Sequence, residues 1–121
     1  MSAPVQNNVP LPQEGNQWVE KTYTITGDWK LEEKDGDLYF VLADNFKTSS
    51  GPDLKLYLLK TDMDTVGDRD SVDRIGVFVA ELDSHKGGQS YKLPSGTKIS
   101  DYKSLVIHCK KYSVVWGGVR L

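Results

Sequence analysis

Short strand-like runs broken by turn residues constrain this chain more than any other feature. The clearest case is WKLEEKDGDLYFVL, residues 29–42, where the runs 29–33 and 38–42 flank Lys34-Asp35-Gly36-Asp37. Asp-Gly between two such runs signals a two-residue hairpin, because both central residues of that turn need positive φ. Side chains alternate across a strand, so Leu38, Phe40 and Leu42 fall on one face and Tyr39 and Val41 on the other.

Other runs read the same way. WVEKTYTIT, residues 18–26, is expected to form the first strand, broken by Gly27-Asp28. LKLYLLK, residues 54–60, follows the turn Gly51-Pro52-Asp53 and puts Leu54, Leu56 and Leu58 on one face. RIGVFVAEL, residues 74–82, is apolar enough to be a central strand. A turn with His85, Gly87 and Gly88 leads to a short strand at 91–93, and Pro94-Ser95-Gly96 turns again. The chain closes with runs at 104–110 and 112–116, ending in Gly117-Gly118. No helical period competes with these runs and no internal repeat interrupts them. Turn signals every ~8–12 residues predict an all-β fold, an antiparallel β-sandwich or open barrel of about seven to nine strands.

The chain has 121 residues, which suits one domain. Hydrophobic residues make up 38% and charged residues 26%, enough for a real core and a soluble surface. A net charge of −2 gives no electrostatic reason for a nucleic-acid or anionic-membrane partner. No apolar run reaches the length of a membrane span. No signal-peptide core follows Met1, so the reading is either a cytosolic protein or a chain that begins after a removed signal. Residues 1–16 carry Pro4, Pro10 and Pro12 among polar residues and are expected to be a disordered leader or tether, with the domain at 17–121.

Few residues can carry chemistry. The single cysteine, Cys109, excludes an intramolecular disulfide, a multi-cysteine metal motif and a CxxCH haem attachment. On its strand, Cys109 shares a face with Leu105 and Ile107, while His108 shares the opposite face with Val106 and Lys110. Two readings follow. Cys109 is a small core hydrophobe, the commonest fate of a free cysteine. Alternatively, an open strand end exposes a thiolate for redox exchange, or lets it ligate a haem iron, with His108 as a further cofactor-binding candidate. A Cys109 sulfur sealed from every pocket would sink the redox idea in its bare-thiol form. His85, in a Gly-rich turn, reads as solvated.

The loop 61–73 holds Asp62, Asp64, Asp68, Asp70 and Asp73. Asp62, Asp64, Asp68 and Asp70 have Asp-x-Asp spacing, with Gly67 available for a tight turn, and so form a candidate calcium site. No Glu stands at the bidentate position of an EF-hand, which favours a solvated acidic loop. The tryptophans and tyrosines suit sheet packing better than a ligand platform. No Ser/His/Asp set or phosphate loop can be assembled, so nothing supports a hydrolase.

Several motifs do form a recognisable order. Phe46 is followed by Gly51-Pro52-Asp53-Leu54-x-Leu56-Tyr57-Leu58. Gly88-Gln89-x-Tyr91-x-Leu93-Pro94 comes next, then Tyr102-x-Ser104-Leu105-Val106-Ile107-x-Cys109-Lys110 and Tyr112-Ser113-Val114-x-Trp116-Gly117. This order, over roughly residues 22–121, resembles the DM-thirteen domain, the Skeletor-type electron-transfer domain, with Val119 where a small residue is usual. The resemblance implies an extracytoplasmic β-sandwich-like module. It also implies that the cysteine takes part in electron transfer, as a thiol or as the holder of a prosthetic group such as haem, a role that falls on Cys109.

The expectation is therefore an extracytoplasmic redox module, periplasmic, secreted or at the cell surface, centred on Cys109. It would be a monomer working with a redox or surface protein partner, with its leader as a possible tether. The competing expectation is a non-catalytic binding or adhesion sandwich in which Cys109 is packed and calcium, if any, binds the acidic loop.

Overall fold

The computed structural model describes residues 13–69 and 72–121. Among these are eleven strands. In chain order they are β1 (Gln13–Gly15), β2 (Val19–Glu20), β3 (Ile25–Thr26), β4 (Trp29–Lys34), β5 (Asp37–Leu42) and β6 (Lys47–Thr48), then β7 (Leu54–Leu59), β8 (Val77–Glu81), β9 (Gln89–Lys92), β10 (Ser104–Cys109) and β11 (Val114–Arg120). The one helix, α1 (Val72–Ile75), is a single turn. The count exceeds the expected seven to nine because β2, β3 and β6 are two-residue pieces.

All pairings are antiparallel. One sheet runs β1-β4-β5-β9 and the other β2-β11-β10-β7-β8, with β3-β6 as a separate two-stranded ribbon. The sheets face each other across a core that includes Leu31 and Phe40 from the first and Leu56, Leu58, Leu105 and Ile107 from the second, all fully buried. The fold is an all-β sandwich, not a closed barrel.

The hairpin forms as its sequence demands. Trp29 to Lys34 pairs with Asp37 to Leu42, and Asp35 and Gly36 take φ of 54° and 84°. Positive φ at both central residues is the primed turn whose twist matches the strands. Leu38, Phe40 and Leu42 point into the core, while Tyr39 and Val41 stay half-buried.

The five-stranded sheet has a second apolar layer on its outer face. Tyr57, Leu59, Val106 and Val115 are buried there beneath Met63, Val66 and Val72, contributed by the acidic segment and α1. All six residues of β10 are therefore buried. Strands buried on both faces read as continuous apolar runs, not as alternating ones.

Four expectations change. The run 18–26 is not one strand. The backbone N–H groups of Lys21 and Thr22 both turn to the Trp116 carbonyl, at 3.1 and 3.2 Å, and bend the chain between β2 and β3. The run 74–82 is not central. Arg74 and Ile75 belong to α1, and β8 is an edge strand with Val77 and Phe78 exposed. Gly117-Gly118 does not end the last strand but lies inside β11. A Cβ on Gly117 would come within 2.5 Å of the Val19 carbonyl, so the pairing of β2 needs the missing side chain. Finally, the expected leader reached residue 16, yet Gln13–Gly15 pairs with β4. The rest of that leader, residues 1–12, lies outside the described residues.

Candidate functional site

β10 carries both chemistry-bearing residues on opposite faces. Cys109 is fully buried and belongs to the core between the sheets. Its register partners are Leu54 on β7 and Val114 on β11. Directly opposed residues of an antiparallel ladder carry their side chains on one face. Leu54 and Val114 therefore flank the thiol on either side. One residue further, Lys110 donates its N–H to the Asp53 carbonyl at 3.0 Å. The exposed turn 110–113 follows, with Ser113 at φ 53°.

Trp116, two residues beyond Val114 on β11, is accommodated by a register shift in the β10–β11 ladder between Ile107 and His108. Its Nε1–H donates to the Ser49 carbonyl at 2.9 Å, and its ring meets Tyr23 with centroids 4.3 Å apart. A Cβ on Gly51 would lie 2.9 Å from the Trp116 ring, which is why the loop before β7 has glycine there. Trp116, Tyr23, Val114, Arg69 and Tyr112 are among the walls of an open surface cleft of about 380 Å³. Cys109 lines neither this cleft nor the three others found, which lie beside Trp29 and beside the β3–β6 ribbon. Val114 both lines the cleft and is the register partner of Cys109.

His108 is equally buried, but beneath the acidic segment. Its ring meets Tyr57 edge-on, with centroids 5.8 Å apart. Among the described residues neither Nδ1 nor Nε2 has a hydrogen-bond partner. Burial pushes the imidazole below its usual value, against the opposing fields of Asp73 and Asp53. Burial likewise raises the Tyr57 phenol. Lys55, the register partner of His108 on β7, is held by Asp53 at 2.9 Å and Glu81 at 3.6 Å. The Lys55 ammonium draws the Asp53 carboxyl below its ordinary value.

These positions do not fit a haem. Cys109 and His108 point to opposite sides of one sheet, so no single planar group reaches both. None of the four clefts described above reaches the thiol, which is fully buried.

The acidic-loop candidates are spread apart by other tasks. Asp62 caps the 3-10 turn Met63–Thr65, accepting from the Asp64 N–H at 3.1 Å. Asp64 pairs with Arg120. Asp68 offers its backbone carbonyl to the Val115 N–H at 2.8 Å. Asp70 lies outside the described residues. Among those described, no three His, Cys, Asp or Glu side chains stand close enough to hold a metal ion. His85 uses its carbonyl to receive the Thr48 N–H at 2.8 Å.

Sequence reasoning missed the cover. Met63, Val66 and Val72 are the apolar residues of a stretch read as solvated. The signal for them was β10 itself, which is apolar on both faces and so requires cover on both.

Fold and site together define a small antiparallel sandwich module with one cysteine sealed at the end of a central strand. The chain belongs to the electron transfer DM13 family, whose model matches residues 17–121. No curated protein and no solved structure matches it.

Proposed function

We propose that the domain is an electron-transfer module whose redox group is the Cys109 thiol, serving a protein partner outside the cytoplasm. The observation that carries this reading is convergence. Family motifs more than forty positions apart meet at one point: Leu54 of GPDL and Val114 of the closing motif flank Cys109, and Gly51 packs under Trp116.

The resting surface offers no thiol, and that seal sinks the bare-thiol form as a reaction of the closed molecule, so the reading applies to a locally opened one. Thiol–disulfide exchange needs the sulfur to be reached by its partner. The turn 110–113 beside it is exposed, and opening there would part the last register pair of the β10–β11 ladder, Cys109 and Val114. The extracytoplasmic setting is supported by the family likeness and the proline-rich residues 1–16. Among the described residues no helix is long and apolar enough to cross a membrane.

The test is the labelling rate of Cys109 by a thiol reagent across pH, in the folded and the urea-unfolded protein. The expected result is slow labelling that still outruns global unfolding measured in parallel. Labelling limited by global unfolding at every pH would leave a structural cysteine and end the thiol reading. Fractionation of cells making the full-length protein tests the setting, and recovery in the cytosol overturns it.

A further inference from the structure

We infer that His108 is an acid trigger for the outer layer of the sandwich: protonating its imidazole releases the segment 62–69 from the five-stranded sheet. The inference stands apart from the redox reading and needs nothing from Cys109.

The neutral ring is itself poorly provided for. It carries one N–H and one lone pair, and among the described residues neither finds a partner. A protonated ring would present two N–H donors and a full charge in the same place. Among the described residues no side chain accepts from either nitrogen. On β7 its neighbours are the Lys55 ammonium and the edge of the Tyr57 ring. On β11 its neighbour is Val115. The apolar layer on the same face of the sheet includes Met63, Val66 and Val72. Asp73 on α1 and Asp53 before β7 favour the charged form, and burial outweighs them.

The charge can be hydrated by only one modest movement. Below the sheet is the main core, whose opening is unfolding. Above it, the segment 62–69 is fixed by the side chains of Met63 and Val66, by the exposed Asp64–Arg120 pair, and by the Val115 N–H to Asp68 carbonyl bond. That last bond joins the cover to the residue directly opposite His108. Proton uptake and cover release are thus linked, because only the open form solvates the imidazolium. Release uncovers Tyr57, Leu59, Val106 and Val115, an apolar face absent from the surface at neutral pH.

Hydrogen exchange at the Val115 amide, corrected for the intrinsic pH dependence of exchange, reads the device directly. Protection is expected to fall at least tenfold between pH 7 and pH 5 in the wild type, while core amides of the β4–β5 ladder change little. In His108→Leu the Val115 protection should be flat over that range. A flat wild-type profile overturns the proposal, and so does an equal fall in His108→Leu, which would assign the effect to carboxylates. Should the variant fail to fold, NMR titration of the wild-type His108 ring decides, with the same ring in the urea-unfolded chain as reference. Titration below that reference, in step with loss of Val115 protection, supports the trigger. Titration at or above it, or out of step with that loss, overturns it.

Discussion

Cys109 and His108 are neighbours in sequence, but one residue of strand period puts them in different solvents. The thiol sits in the sandwich core and tolerates it, since a cysteine is a small hydrophobe with a weak donor. The imidazole sits in a second apolar layer and does not, because each unmet buried polar atom costs about 1–3 kcal/mol. Substitutions should reverse this contrast. Cys109→Ala should lower stability mildly, by about 1 kcal/mol. Cys109→Ser, nearly isosteric, should cost about 1–3 kcal/mol because it buries a hydroxyl in apolar surroundings. Urea unfolding monitored by tryptophan fluorescence separates the two, and a Ser variant no worse than Ala would mean that the site holds an acceptor or water. The sign of the His108 effect follows from its depressed value. The unfolded chain binds its proton near the ordinary value of ~6.5 while the folded chain resists. Stability is therefore held above ~6.5 and falls as pH drops below it. His108→Leu should flatten unfolding free energy between pH 6.5 and 5, as chemical denaturation at a series of pH values would reveal.

At the scale of elements, strand position decides how much a side chain matters. Leu58 on β7 is fully buried, while Phe78 on the adjoining edge strand β8 remains half exposed. Leu58→Ala should cost about 2–5 kcal/mol. Phe78→Ala should cost under ~1 kcal/mol, as expected for a surface change, and a loss equal to that of Leu58→Ala would mean that β8 is covered in solution. The hairpin gives a second test. Gly36 holds φ 84° with open space where a Cβ would stand. Gly36→Val should thus cost about 1–2 kcal/mol from backbone conformation alone, and an unchanged urea midpoint would show that the turn changes type. The hairpin was legible in sequence because its determinants are local. The edge position of β8 was not: apolarity marks a strand without saying which neighbours it finds, and Arg74 and Ile75 lie in α1, which packs on β7 with Val72 buried in the outer layer.

For the whole molecule, the acidic segment acts as a lining more than as a cation loop. Its hydrophobic residues close the outer layer, while Asp62 caps a turn, Asp64 pairs with Arg120 and Asp68 holds Val115 through its backbone carbonyl. Millimolar calcium should accordingly shift the melting temperature by less than ~1 °C, since only a ligand that binds the folded state raises it. A clear rise would restore the calcium-binding module as the better account of this face. The sheets, by contrast, tie distant sequence together, and the family motifs acquire their common meaning only there. Gly51, Leu54, Cys109, Val114 and Trp116 form one cluster around the end of β10.

The sequence by itself determined the all-β class, the hairpin at residues 29–42, the inward face of Cys109 and the family. Each rests on local chemistry, namely turn residues that need positive φ, a side-chain period of two, and motifs in fixed order. Tertiary structure alone decided that β10 is covered on both faces, that Trp116 enters the core at a register shift, and that His108 is sealed beneath a segment that looked solvated. Those outcomes depend on which segments pack against which. Alternation along a strand gives the side a residue faces, whereas burial depends on what distant chain comes to lie over it.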